Sequence, residues 1–111
     1  MNILFVCSKN LSRSPTAEMI YKDRSDLKVK SAGTEPSAGL VQTVELTAKH
    51  INWSDFVFVM EEKHRRSILE KFPLETEHKQ IIVLDIKDDY RFMDAELIEK
   101  IKTKVSEYID K

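Results

Sequence analysis

Ile3-Leu4-Phe5-Val6-Cys7-Ser8-Lys9-Asn10-Leu11-Ser12-Arg13-Ser14-Pro15-Thr16-Ala17-Glu18 is the stretch that decides the fold. Ile3 to Val6 is an unbroken apolar run with β-branched and aromatic members, the pattern of a strand buried on both faces, as central parallel strands are. From Ser14 the pattern turns helical. Pro15 suits a first turn, Glu18 complements the positive end of the helix dipole, and Ala17, Ile20 and Tyr21 recur at helical spacing. Strand, short loop and helix follow one another without a break.

The same rhythm repeats along the chain. Leu27 to Ser31 alternates apolar and polar residues, as an edge strand does, and Ala32-Gly33-Thr34-Glu35-Pro36 then breaks regular structure. Ser37 is placed to cap a second helix carrying Leu40, Val41, Val44 and Ala48, and Asp55 to Met60 repeats the buried-strand pattern. Glu61 to Phe72 reads as a third helix and Gln80 to Leu84 as a fourth strand. Asp94 caps a last helix with Leu97, Ile98, Ile101, Val105 and Tyr108 inward. The order β-α-β-α-β-α-β-α predicts an α/β fold: a single three-layer domain over residues 1–111, with a four-stranded parallel sheet, helices on both faces and a flavodoxin-related topology. In such sheets ligands bind beyond the carboxyl ends of the strands.

Composition bounds the function. The 111 residues carry 18 basic and 19 acidic side chains, a formal net charge of -1, so no molecule-wide field draws in nucleic acid or an anionic membrane. Neither is an expected partner. One cysteine cannot close an internal disulfide, and no second cysteine joins the histidines in a zinc-like spacing, so no metal and no cofactor is expected. A reducing, cytoplasmic setting suits that usage. No basic leader and no apolar run of membrane length is read from the chain.

The loop Cys7 to Ser14 falls at the carboxyl end of the first strand and the start of a helix, where backbone N–H groups lack partners and cradle an anion. Helix dipole, loop N–H groups and the guanidinium of Arg13 all favour thiolate over thiol at Cys7, and thiolate is the form that attacks phosphorus. Arg13, six residues on, can fold back and hold two phosphoryl oxygens in its planar fork, which a lysine ammonium would not match. Cysteine after a strand is ordinarily a small buried hydrophobe; Arg13, Ser14 and the downstream Asp85-Ile86-Lys87-Asp88-Asp89-Tyr90 turn that reading toward chemistry.

FVCSKNLSRSPTAE resembles the amino-terminal signature of the low-molecular-weight protein tyrosine phosphatases, with C-x5-R-S-P in the same strand-loop-helix setting. VKSAGTEP resembles that family's next strand and turn, DFVFVMEEKHRRSIL its strand-and-helix segment, and DIKDDY its loop carrying the catalytic acid. The resemblance implies a phosphomonoester hydrolase, a cysteine-dependent protein tyrosine phosphatase working through a phosphocysteine. Cys7 is then the nucleophile and Arg13 the phosphate clamp, Ser14 steadies the thiolate, and Asn10 holds a left-handed turn. Ser8, Lys9, Asn10, Leu11, Ser12, Arg13 and Ser14 surround the phosphate. Asp88 aligns with the acid that protonates the leaving oxygen and then activates water, since an aryl or alkyl oxide leaves poorly without a proton. Asp85 and Asp89 compete for the role, because spacing alone does not separate three carboxylates within five residues. Tyr90 either flanks the cleft, stacking on an aromatic substrate, or simply packs its loop. The implied partners are a phosphorylated protein or small phosphate ester as substrate, and inorganic phosphate or another oxyanion at the loop.

Three departures make the chain an atypical, short member. Lys9 stands where the family has glycine, adding a cation at the rim that suits a second anionic group. Ser12 replaces a second cysteine, removing the thiol that could trap an oxidised nucleophile as a disulfide. Between Pro36 and Trp53 the chain reads as shortened, thinning one wall of the cleft, and Trp53 either replaces that wall or packs at a strand edge. His50, His64 and His78 lack a paired carboxylate or metal spacing, and Lys63-His64-Arg65-Arg66 reads as a solvated helix face, so no histidine is assigned a role. Rival functions are arsenate reduction with an external thiol, a cysteine phosphocarrier, which lacks the arginine, and a non-catalytic phosphate-binding regulatory module.

Overall fold

The computed structural model describes residues 1–35 and 43–110. In chain order the elements are β1 (Asn2–Cys7), α1 (Arg13–Tyr21), β2 (Lys28–Gly33), α2 (Ala48–Trp53), β3 (Phe56–Val59), α3 (Glu62–Lys71), β4 (Gln80–Val83) and α4 (Ala95–Ile109). The strands form one parallel sheet in the order β2-β1-β3-β4. This is the expected three-layer α/β architecture, with the alternating rhythm of the sequence realised as crossovers between parallel neighbours.

Alternation along β1 splits the core in two. Ile3, Phe5 and Cys7 face α1 and α4, packing with Ala17, Tyr21, Leu97, Ile101 and Val105, while Leu4 and Val6 face α2 and α3, packing with Ile51 and Ile68. Both faces of β1 are sealed, which is why its sequence is apolar without interruption. Ile98 is only partly buried and Tyr108 is largely open on one side, although its ring edge meets Phe58 at 5.6 Å between centroids.

Register brings the strand ends level: Cys7 pairs with Gly33, Val6 with Val59, and Val59 with Val83. The strand order reverses direction at β1 and β3, so the loops after them open at a topological switch point, the place where open α/β sheets bind ligands.

Several local expectations are corrected. Helix α1 begins one residue earlier, at Arg13, and Glu18 lies past its first turn, where it accepts a hydrogen bond from Ser31 Oγ at 2.5 Å. Ala32 and Gly33 belong to β2 and do not break it. The second helix was expected from Ser37; Ser37, Leu40 and Val41 lie outside the described residues. Val44 is exposed in an extended stretch, because Gly33 donates its N–H to the Val44 carbonyl and accepts from Leu46 N–H, both at 2.8 Å. With its backbone committed to β2, that segment turns helical only at Ala48, where Thr47 caps α2 by accepting from His50 N–H.

Candidate active site

Cys7 ends β1, and the chain turns at once. Asn10 adopts φ 58°, the left-handed conformation that asparagine tolerates better than most residues, so the loop curls back and enters α1 at Arg13. Asn10 also pins the curl. Its Nδ2 donates to Ser14 Oγ at 2.8 Å and Ser31 Oγ at 3.0 Å, and its Oδ1 accepts the Val44 N–H at 3.0 Å. Ser14 Oγ lies 3.0 Å from Cys7 Sγ. Asn10 donates to that hydroxyl, whose own hydrogen has two acceptors in reach, the sulfur at 3.0 Å and the Ala32 carbonyl at 3.4 Å; turned to the shorter contact, it steadies a thiolate.

The strand beside β1 sets how tightly the loop can close. Thr34 N–H donates to the Cys7 carbonyl at 3.0 Å and Glu35 N–H to the Ser8 carbonyl at 2.9 Å. A Cβ at Gly33 would stand 2.6 Å from the Ser8 carbonyl oxygen and 3.0 Å from Asn10 N. Glycine is required there by close approach, a constraint invisible while Gly33 is read as a strand breaker.

Arg13 is 1% exposed. Its Nη1 donates to Glu61 Oε2 at 2.6 Å and to the Ile86 carbonyl at 2.7 Å, while its buried Nε has no hydrogen-bond partner among the described residues and lies 3.6 Å from Asp88 Oδ1. A guanidinium so fixed on one edge leaves the other committed to whatever enters the cleft. An unpaired buried N–H is a costly feature that an incoming oxyanion relieves.

Beyond Val83, Leu84 N–H and Ile86 N–H bond the carbonyls of Val59 and Met60, both at 2.8 Å, carrying the chain straight toward the loop. Asp85, at φ 56°, points outward, where the Leu84 and Asp85 carbonyls receive Lys104 Nζ. Asp88 is the carboxylate of this segment that lines the cleft, together with Cys7, Ser8, Lys9, Leu11, Ser12, Arg13, Glu35 and Lys63, around a space of about 350 Å³. Asp85 and Asp89 do not line it. Tyr90 is likewise placed elsewhere: its ring packs on the α1/α4 side of the core beneath Lys100 Nζ, 5.3 Å from the centroid. Trp53 sits at the opposite end of the sheet, its carbonyl bonded by Asn2 Nδ2 and its ring under Lys30 Nζ, so it forms no wall of this cleft.

Four residues at the site escaped the sequence reading: Glu35 and Lys63, which line the cleft, and Glu61 and His64, which support it. Glu61, the residue after Met60 at the mouth of β3, holds Arg13. His64, expected on a solvated face, is 1% exposed: its Nδ1 accepts the Glu61 N–H at 3.0 Å, and its Nε2 lies 2.8 Å from Ser8 Oγ. Burial, with the charge of Arg13 beside it, pushes the imidazole down to about 4, so it is neutral near pH 7. The spacing of Glu61 and His64 is the available signal, since residues three apart across a helix start reach back to one another as a cap.

The family model for low molecular weight phosphotyrosine protein phosphatase matches residues 2–51, which take in β1, the loop, α1 and β2. A protein-arginine-phosphatase of Geobacillus stearothermophilus is 31% identical over 91 residues, a match covering 64% of this chain and 62% of that relative, so the chain spans less than two thirds of it. The structure of YwlE arginine phosphatase from the same organism superposes with a TM-score of 0.76 at 25% identity, covering 98% of this chain and 92% of that one. A low molecular weight protein tyrosine phosphatase of T. tengcongensis gives a TM-score of 0.80 at 23% identity, covering 99% and 98%, a likeness of fold.

Proposed function

We propose that this chain, a member of the low molecular weight phosphotyrosine protein phosphatase family, is a single-domain cytoplasmic enzyme that hydrolyses phosphate monoesters on proteins, phosphotyrosine foremost. The observation that carries the reading is the buried Arg13 Nε, without a hydrogen-bond partner among the described residues, beside a cysteine and a carboxylate in one cleft. In the first step Cys7 Sγ attacks phosphorus as thiolate, forming an S–P bond as the ester P–O bond breaks, and the Asp88 carboxyl gives its proton to the leaving oxygen. In the second, Asp88 as carboxylate takes a proton from water, whose oxygen attacks phosphorus. The S–P bond breaks, inorganic phosphate departs and the thiolate returns. Loop N–H groups and the free edge of Arg13 hold the equatorial oxygens throughout, where charge develops. No redox partner is needed, which separates this chemistry from arsenate reduction.

Phosphoarginine is a second reading, favoured by the 31% identical relative named for that activity and by Glu35 at the cleft mouth, a carboxylate that a guanidinium could pair with. Leu11 on the same rim offers apolar contact and suits an aromatic ring. Initial rates on phosphotyrosine and phosphoarginine peptides of matched sequence decide between them. Hydrolysis of para-nitrophenyl phosphate without metal, abolished in Cys7→Ser, tests the hydrolase itself. Full turnover in Cys7→Ser would falsify the nucleophile, whereas phosphate binding without turnover in the unaltered chain would instead support a regulatory phosphate-binding module.

A further inference from the structure

We infer that His64 is a positioning residue of the phosphate loop, tying Ser8, the first residue after the nucleophile, to the turn that carries Glu61 and, through it, Arg13. The inference rests on reading the loop as a phosphate site and adds to that reading a residue which touches no substrate.

The tautomer follows from geometry. Glu61 N–H donates to His64 Nδ1 at 3.0 Å, so that nitrogen bears the lone pair and the single ring proton of neutral imidazole resides on Nε2. The Nε2–H therefore donates to Ser8 Oγ across 2.8 Å. Both ends of the ring are committed, one to a backbone N–H and one to a side-chain oxygen. The ring is enclosed, with Ser67 and Ile68 following it on α3, and Ser8 Oγ has no other partner among the described residues.

What this link joins is decisive for anion binding. Ser8 supplies the loop's first backbone amide after Cys7, and Glu61 receives Arg13 Nη1 at 2.6 Å. The N–H cradle and the guanidinium come from β1 and α1, yet both are referred to one turn at the start of α3. A cradle and a clamp must agree in position to a few tenths of an ångström to hold one phosphoryl group, and such agreement comes from supporting residues whose own rotamers are locked. A second proton on the ring would set Nδ1–H against Glu61 N–H, two donors face to face, so the link exists only in the neutral state.

The test uses the full chain with Ser8→Ala, His64→Phe and the double variant, and inorganic phosphate as the probe. Protection of Cys7 from iodoacetamide gives phosphate affinity without reference to turnover. Each single variant is expected to weaken phosphate roughly five- to ten-fold, the loss typical of one hydrogen bond, and the double variant to be no weaker than the worse single. Losses that multiply, or unchanged affinity in His64→Phe, overturn the coupling. Failure of phosphate to protect Cys7 in the unaltered chain overturns the phosphate-site reading together with it. Should His64→Phe not fold, the imidazole ¹⁵N resonances of the unaltered protein decide: an Nε2–H tautomer perturbed by Ser8→Ala supports the link, and an Nδ1–H tautomer refutes it.

Discussion

Arg13 Nη1 donates to Glu61 Oε2 over 2.6 Å, and Arg13 Nε lies 3.6 Å from Asp88 Oδ1 without a bond, so one guanidinium is anchored on one edge and open on the other. Anchor and opening have different purposes. Glu61 fixes where the charge sits; Asp88 lies on the open side, in the lining of the cleft.

Removing the anchor's charge should therefore damage binding and stability together. Burial alone would raise the Glu61 carboxyl, but the hydrogen bond and charge of Arg13 hold it below its usual range. Glu61→Gln leaves the buried guanidinium with only the exposed Asp88 carboxylate, 3.6 Å away, to offset its charge, and because Glu61 is partly exposed the loss should be about 1–3 kcal/mol, below that of a fully buried pair. Urea unfolding and phosphate inhibition measure the two effects, and a variant equal to the parent in both would show that Glu61 anchors nothing.

Asp88→Ala should slow esters with poor leaving groups far more than para-nitrophenyl phosphate, by about 10²–10⁴-fold where the leaving oxide is strongly basic. The measurement is kcat/KM across a series of phenols and alcohols. A loss independent of leaving-group pKa would remove Asp88 from the acid role, and equal sensitivity in Asp85→Ala or Asp89→Ala would reopen the assignment.

Gly33→Ala forces a methyl to within 2.6 Å of the Ser8 carbonyl. The neighbour is backbone, so the loop itself must move, at a cost of about 1–3 kcal/mol as overpacking. Thermal unfolding should fall by several degrees and phosphate affinity should drop with it. Retention of both would mean that the loop yields easily, contrary to its hydrogen bonds to Thr34 and Glu35.

Acid should destabilise the fold in a window set partly by His64. Burial depresses its folded pKa to about 4, against 6.5 when unfolded, so between those values the unfolded chain binds the extra proton and stability declines as pH falls. Urea midpoints taken at pH 7, 5.5 and 4.5 should drop more steeply in the parent than in His64→Phe. Parallel curves would mean that the ring does not titrate with unfolding.

Much of the architecture was legible because it depends on local pattern. Ile3 to Val6 and Asp55 to Met60 are apolar on both alternations, which only a doubly covered strand satisfies, and Asp94 precedes a helical stripe that buries Leu97, Ile101 and Val105. The second helix was expected to carry Val44, which is instead exposed in an extended stretch ahead of the helix start at Ala48. At Val44 the deciding partner, Gly33, is eleven residues away in sequence and no local pattern reports it.

At the site, the spacing of Cys7, Asn10, Arg13 and Ser14 lies within one strand-loop-helix unit, so chain geometry alone brings those groups together, and the sequence by itself determined them. The entry of Asp88, rather than Asp85 or Asp89, into the cleft lining, the placement of Tyr90 away from it, and the arrival of Glu61 and His64 at the loop were decided only by tertiary structure. Each depends on where β3 and β4 end relative to β1. That register is set by the packing of whole strands across the sheet, and a side chain's neighbours across a sheet are not encoded in its own segment.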